Sequence, residues 1–194
     1  MRSWECRLAA AVADPEGGFV PEALRARRLC REKRYGEALD VLWQMLHRAR
    51  RSGSLTREAF VLIHFGHVYR HEHTETALKF LQDGLHVARS CGFGAGEMLA
   101  YDALGEVCYR RGDIEQALDF YQQSLASARE LRDWVCERDI LLEMVNCYEE
   151  RGDFSRCDEL LDLALRLDRD RGLLVPGDDT RSPEAGALEQ GDGL

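Results

Sequence analysis

Proline is scarce in this sequence of 194 residues, and the long central part has none. The only four prolines are Pro15, Pro21, Pro176 and Pro183. The proline ring lacks a backbone donor and disrupts a helix interior, so its absence between residues 22 and 175 removes the commonest helix breaker from that stretch. This pattern favours an all-α body.

Long apolar runs are also absent. A membrane-spanning helix needs about 18 or more consecutive apolar residues, and no stretch of this length occurs. The first residues, MRSWECRLAAAVADPE, look superficially like a secretion signal. However, their apolar stretch is short and follows Glu5 and Arg7, which a signal sequence would not tolerate well. We therefore expect a cytoplasmic protein with no membrane span and no export signal.

The cysteines lack the spacing of a metal site or a disulfide framework. There are seven, an odd number, and no Cys-x-x-Cys pair occurs. Zinc sites and disulfide-rich domains usually show tighter spacing. We expect buried free thiols in a reducing compartment.

Motifs of catalysis and cofactor binding are missing as well. The sequence has no Gly-rich phosphate loop, no Gly-x-Ser-x-Gly elbow and no His-Glu-x-x-His pair. The segment HFGHVYRHEH places His64, His67 and His71 near one helical face, but a zinc site would require a fourth ligand. We predict a protein that is not an enzyme and that binds no metal and no cofactor.

Charge is abundant and unevenly distributed. The formal net charge is −9, which argues against nucleic acid as a partner because phosphate binding needs a basic surface. Residues 1–57 contain 12 Lys and Arg against 7 Asp and Glu, whereas the remainder contains 14 against 28. The chain therefore has a basic end and an acidic end.

The dominant positive feature is an internal repeat. Small residues recur at Ala38, Ala77, Ala117 and Cys157, at intervals of 39, 40 and 40. In every unit, steps of 4, 3 and 1 lead to three further apolar or small residues: Leu42, Met45 and Leu46; Leu81, Gly84 and Leu85; Tyr121, Ser124 and Leu125; Leu161, Ala164 and Leu165. Steps of 3 and 4 belong to one face of an α-helix, so the sequence predicts four related helices.

The tripeptide Arg-Gly-Asp occurs twice, at residues 111–113 and 151–153, within this repeat. Gly112 suits the left-handed position just past a helix end. Asp113 suits the N-cap of the next helix, with Gln116 completing a capping box. The tripeptide therefore predicts a turn between two antiparallel helices and not a cell-adhesion ligand.

The stretch AYDALGEVCYRRGDIEQALDFYQQSLASARE resembles a tetratricopeptide repeat. Tyr101, Leu104, Gly105, Ala117 and Tyr121 occupy its aromatic, Leu-Gly, small and second aromatic positions. Weaker versions extend the resemblance over about residues 19–171. The 40-residue period is similar to the long repeats of G-protein-signalling modulators and kinesin light chains, and also to those of bacterial quorum-sensing regulators. We expect the additional residues to lengthen the second helix of each unit.

The resemblance implies an all-α fold, a right-handed α-solenoid of about four antiparallel helix hairpins with an N-terminal cap helix and a disordered C-terminal tail. The expected segments are a cap at 1–18, a repeat domain at 19–171 and an acidic tail at 172–194. The expected repeat units are 19–57, 58–97, 98–137 and 138–171. The last hairpin has no evident capping helix. Either Leu173, Leu174 and Val175 fold back over this edge, or the edge binds another protein or a second copy.

The resemblance also implies a concave groove lined by the first helix of each hairpin. By position, the residues expected to face it are Arg27, Arg31, His67, Arg70, His71, Asp102, Glu106, Tyr109, Arg110, Asp139, Asn146, Glu149 and Glu150. This groove would change from basic to acidic along the solenoid. It would suit a peptide of complementary charge order, oriented by electrostatics and anchored by residues such as Tyr109.

The function implied is that of a non-catalytic adaptor that binds a partner peptide or helix in the groove. One alternative is a regulatory module that senses a short signalling peptide. Another is a scaffold element that self-associates through the edge of its last repeat. The resemblance does not decide among these three, because one repeat scaffold serves many functions.

Overall fold

The computed structural model describes residues 19–70 and 73–171, and every regular element in these two ranges is an α-helix. The eight helices are α1 Phe19–Arg31, α2 Tyr35–Arg51, α3 Leu55–Tyr69, α4 Thr74–Ser90, α5 Gly94–Arg111, α6 Ile114–Glu130, α7 Trp134–Arg151 and α8 Phe154–Asp170.

The helices form four hairpins that stack in chain order. Short turns join α1 to α2, α3 to α4, α5 to α6 and α7 to α8, and the two helices of each pair pack against each other. Helices α2, α4 and α6 also pack on the first helix of the following hairpin. One apolar core runs through the stack, from Phe19 to Ala164. The predicted all-α solenoid of about four antiparallel hairpins is confirmed.

Three parts of the sequence-based prediction lie outside the described residues: the cap segment 1–18, the tail 172–194 and His71. The division into units remains a prediction. Helices α3, α5 and α7 begin at Leu55, Gly94 and Trp134. These starts lie a few residues before the unit starts expected at 58, 98 and 138.

The first and second helices of the hairpins are nearly equal in length from α4 to α7. Helices α4 and α6 end at Ser90 and Glu130, and each has 17 residues, while the first helices α5 and α7 have 18. That the additional residues of the 40-residue period lengthen the second helix of each unit remains a prediction. Gly92 and Arg132 lie just past α4 and α6 and adopt the left-handed conformation, with φ of 67° and 54°. This conformation stops the preceding helix.

Small residues allow the helices to approach closely, as the repeat pattern predicts. A Cβ atom on Gly105 would lie 2.7 Å from the ring of Tyr121, and one on Gly66 would lie 2.4 Å from Leu81. The large side chain of each second helix therefore fills the space that the glycine leaves. This contact sets the distance between the two helices in each of these hairpins.

The Arg-Gly-Asp turns have the predicted backbone but not the predicted caps throughout. Gly112 and Gly152 are left-handed, with φ of 84° and 71°. The Asp153 carboxylate accepts a hydrogen bond from the backbone N–H of Arg156 at 3.2 Å. Asp113 makes no such bond, so the predicted capping box is wrong. Its carboxylate lies 3.1 Å from Nε of Arg111, which draws it away from the helix terminus.

Over residues 19–70 and 73–171, no helix is both long enough and apolar enough to cross a membrane.

Candidate functional site

The first helices of the hairpins form the inner row of the solenoid. Beyond its own partner, α3 packs on α5, and α5 packs on α7. The second helices pack chiefly on first helices, so they are spread further apart. The surface along α1, α3, α5 and α7 is therefore the concave side, which we call the inner face.

A pocket opens at the N-terminal end of this inner face, between α1 and α3. Its volume is about 370 Å³. The residues that line it come from α1, the following turn, the start of α2, and α3: Ala26, Arg27, Cys30, Arg31, Lys33, Tyr35, Leu42, His64, His67, Val68 and Arg70. Four of the predicted groove residues, Arg27, Arg31, His67 and Arg70, are thus brought together. We call this the basic pocket.

Several positively charged side chains lie close together in the basic pocket. Burial, and then the neighbouring charge of Arg31, lower the pKa of Arg27. Nη1 of Arg70 lies 2.8 Å from Nδ1 of His67 and donates to Glu106 at 2.6 Å. Nε of Arg70 is buried and has no hydrogen-bond partner among the described residues. A pocket with this arrangement favours an incoming anion.

His64 forms part of the pocket wall and is held neutral. Its Nδ1–H donates to the backbone carbonyl of Phe60 at 2.9 Å. Burial lowers the pKa of His64 to about 4, and the charge of Arg27 contributes in the same direction. Because its pKa is lowered in the folded state, its contribution to stability is present above the unfolded value of 6.5 and lost as the pH falls to about 4.

We expect His64→Gln to lose less stability than the wild type between pH 6.5 and pH 4. Glutamine cannot titrate, so the variant escapes the cost of keeping an uncharged imidazole in acid. The difference in Tm over this window should be at least about 3 °C by thermal unfolding. His47→Gln, at an exposed position of α2, is the matched control. Parallel curves for wild type and His64→Gln would contradict the assignment.

The middle of the inner face is occupied by an ion-pair chain. Glu106 accepts from Arg70 at 2.6 Å and from Arg110 at 3.0 Å, and its side chain is only 13% exposed. Arg70, Glu106 and Arg110 were each predicted to face a ligand. In the structure they form one ion-pair network between the end of α3 and α5. Glu106 neutralises part of the charge that Arg70 brings to the basic pocket.

The C-terminal end of the inner face is acidic. The half-buried phenol of Tyr109 has a raised pKa, first because of burial and then because of nearby carboxylates that include Glu150, Glu143 and Glu149. Asn146, Glu149 and Glu150 are exposed on α7. These residues form what we call the acidic end, with Tyr109 as its aromatic member.

Two predicted groove residues lie in the crevice between hairpins. Asp102 is only 6% exposed, and it borders a small cavity of about 10 Å³ between α5 and α7. Asp139 accepts from Arg138 at 2.6 Å, and Arg138 also donates to Asp168 at 3.0 Å. Asp102 and Asp139 therefore serve helix packing more than an open surface.

Several residues of this surface were not among those predicted from the sequence. Lys33, Cys30 and Tyr35 enter the basic pocket from the end of α1 and its turn, and Glu143 adds to the acidic end. Lys33 has a φ of 59°, a conformation that its sequence does not indicate. Glu143 lies one turn before Cys147 on α7, so helical spacing could have shown that the two residues share one face of the helix.

Six of the cysteines lie within the described residues, and all six are free thiols. Cys108, Cys136, Cys147 and Cys157 are buried and unpaired, and burial raises the pKa of Cys147 to about 11. Cys30 and Cys91 are half-buried and also free. Within residues 19–70 and 73–171, no three His, Cys, Asp or Glu side chains are grouped closely enough to hold a metal ion.

Known proteins support the same architecture. Residues 96–170, from α5 to the end of α8, match the tetratricopeptide repeat family. No curated protein is similar enough in sequence to match the chain. The fold is similar to the crystal structure of BtubC (BKLC) from P. vanneervenii, with a TM-score of 0.69 and 17% identity over 98% of this chain and 78% of that chain.

A second similar structure is a signal transduction ATPase with numerous domains, from Pyrococcus horikoshii, that carries a tetratricopeptide repeat sensor. It matches with a TM-score of 0.68 and 19% identity over 79% of this chain and 24% of that chain. This chain therefore spans about a quarter of that protein's length.

Stacked helix hairpins with an open inner face define a helical repeat protein of the α-solenoid class. The sequence match identifies residues 96–170 as tetratricopeptide repeats, and the two similar structures show the same fold for the chain. Repeats of this family generally mediate interactions between proteins. The long repeat type, similar to that of G-protein-signalling modulators, remains a prediction.

Proposed function

We propose that this protein is a non-catalytic adaptor whose inner face binds an extended or helical segment of a partner protein. The observation that carries the proposal is the separation of charge along that face, from the basic pocket to the acidic end. A bound segment would place acidic residues at α1 and α3 and basic residues at α7. Such charge order mainly sets orientation and association rate.

Affinity in this proposal comes from apolar and aromatic anchors between the charged ends. Tyr109 is half-buried beside the acidic end, and Tyr35 and Leu42 line the basic pocket. Buried aromatic side chains are the usual anchors of protein interfaces. The free thiols suit a reducing compartment, and we propose a cytoplasmic location on that ground.

The test uses a labelled peptide with glutamates at one end, lysines at the other, and Leu and Phe between them. Arg27→Glu with Arg31→Glu should weaken its binding at least about tenfold by fluorescence anisotropy, because the basic pocket would repel the glutamates. Glu149→Lys with Glu150→Lys should weaken it as well, while both variants keep their helicity by circular dichroism.

The matched control is Arg25→Glu with Arg28→Glu, the same charge change on α1 but outside the pocket lining. A peptide of the same composition with scrambled charge order controls for non-specific attraction. If the α1 control weakens binding as much as the pocket variant, or if the scrambled peptide binds equally well, the oriented groove is the wrong description.

A second candidate is a module that senses a short signalling peptide. Fold similarity to a protein whose tetratricopeptide repeats are described as a sensor favours it. The length of the ligand separates the two functions. In a thermal-shift series, a peptide of a few residues that stabilises the chain as strongly as the full-length probe would favour sensing over adaptor binding.

A further inference from the structure

The lining of the basic pocket carries ionised groups of one sign. Its four charged side chains come from three parts of the fold: Arg27 and Arg31 from α1, Lys33 from the turn after α1, and Arg70 from the end of α3. No Asp or Glu is among the described residues that line it. Like charges held near one another repel, so an anion bound between them would be stabilised by all four.

Lys33 has a backbone conformation that suits glycine. Its φ is 59°, in the left-handed region. The equivalent residues in the third and fourth hairpins are Gly112 and Gly152, which have φ of 84° and 71°. A lysine in this conformation is strained relative to glycine, and strained residues are concentrated at functional sites. The strain at Lys33 therefore indicates a role for its side chain, which lines the basic pocket.

Arg70 is fixed in orientation but has an unused donor. Its Nη1 lies 2.8 Å from Nδ1 of His67 and donates to Glu106 at 2.6 Å. Its Nε is buried and has no hydrogen-bond partner among the described residues. Buried donors are nearly always paired, so each exception calls for an explanation. An oxygen atom of a ligand in the basic pocket would supply the acceptor for this Nε–H.

These features fit a phosphate group better than a carboxylate. A phosphomonoester carries about two negative charges at neutral pH and three acceptor oxygens, so donors can approach it from several directions. A carboxylate has a single charge, and both of its oxygens lie in one plane. The pocket volume of about 370 Å³ is enough for a phosphorylated side chain, and Tyr35, Leu42 and Val68 offer apolar surface to its carbon atoms.

We propose that the basic pocket binds the phosphate group of a phosphorylated serine or threonine in the partner segment. This inference rests on the proposed function, because it names the residue at the acidic end of the segment that the inner face binds. Arg27, Arg31 and Lys33 neutralise the phosphate charge, and Nε of Arg70 donates to one of its oxygens. A kinase that modifies the partner would thereby control its binding to the adaptor.

The test compares three versions of the labelled peptide, with phosphoserine, glutamate or serine at one position near its acidic end. On the full chain, fluorescence anisotropy should show that the phosphoserine peptide binds at least about tenfold more tightly than the glutamate peptide, because the dianion gains charge-assisted hydrogen bonds. Inorganic phosphate should displace it only at concentrations at least about a hundredfold above the Kd of the peptide, since the rest of the segment also contributes to binding.

Lys33→Gly separates binding from folding. Glycine relieves the left-handed strain, so this variant should have a Tm no lower than that of the wild type. It should nevertheless bind the phosphoserine peptide at least about fivefold more weakly, because one positive charge leaves the pocket lining. The matched control is Arg132→Gly, since Arg132 is exposed, has a φ of 54° and is not among the residues that line the pocket. It should keep the wild-type affinity.

Each arm of the experiment has its own contrary result. Equal binding of the phosphoserine and glutamate peptides would overturn the phosphate site and leave the proposed function intact. Failure of all three peptides to bind would overturn the proposed function and this inference with it. Displacement by inorganic phosphate at the Kd of the peptide would show that the ligand is a free phosphate compound and not a partner protein. Equal loss of affinity in Lys33→Gly and Arg132→Gly would exclude the basic pocket as the site.

Discussion

Tyr121→Ala is expected to lower the free energy of unfolding by about 3–5 kcal/mol. The side chain is 1% exposed and fills the space above Gly105, where a Cβ atom would lie 2.7 Å from its ring. Removing the ring leaves a cavity between α5 and α6 that the backbone cannot close, because each of these helices also packs on α7. Chemical denaturation followed by circular dichroism measures the loss.

Tyr121→Phe is the control that separates the ring from its hydroxyl. The hydroxyl is buried and has no hydrogen-bond partner among the described residues, and burial raises the pKa of Tyr121. An unpaired buried hydroxyl is costly, so Phe should be as stable as Tyr or up to about 1 kcal/mol more stable. A clear loss of stability in Tyr121→Phe would show that the hydroxyl has a partner.

Glu106→Gln is expected to have opposite effects on stability and on binding. The carboxylate accepts hydrogen bonds from Arg70 and Arg110, and the buried part of this network should contribute about 1–3 kcal/mol. Without it, Arg70 is free to meet an external anion. The affinity of the basic pocket for the acidic end of the labelled peptide should therefore rise about tenfold, since about 1.4 kcal/mol corresponds to that factor.

Denaturation and fluorescence anisotropy on the same preparation measure both effects. Glu130→Gln, at the exposed end of α6, removes an equal charge away from the inner face and should alter neither measurement appreciably. Should Glu106→Gln lose stability but bind the peptide no better, Arg70 would be a structural residue and not part of the binding surface.

The repeat and its turns could be predicted from sequence because their causes are local. Ala117 and Cys157 recur at helical positions, and Gly112 and Gly152 have the backbone freedom that a left-handed helix end requires. The side-chain hydrogen bonds that cap the helix N-termini could be predicted less well. Asp113 and Asp153 stand at equivalent positions, but only Asp153 bonds to the helix terminus, because Arg111 competes for Asp113.

The inner face could be predicted only in part. The sequence indicated a basic and an acidic end, since charge counts depend on composition alone, and four of the predicted basic residues and histidines line one pocket. It did not indicate that Glu106 lies between Arg70 and Arg110, because the two helices that supply these residues meet only in the fold. Nor did it indicate that Asp102 is buried, since the neighbouring hairpin covers it.

By itself, the sequence determined the helical class of this protein, the division of its described residues into about four hairpins and the positions of most turns. These follow from the spacing of apolar residues and from glycine conformation, which act over a few residues. Only the tertiary structure decided which charges are paired and which predicted groove residues are buried. Those properties depend on atoms that are distant along the chain and are brought together by stacking of the hairpins.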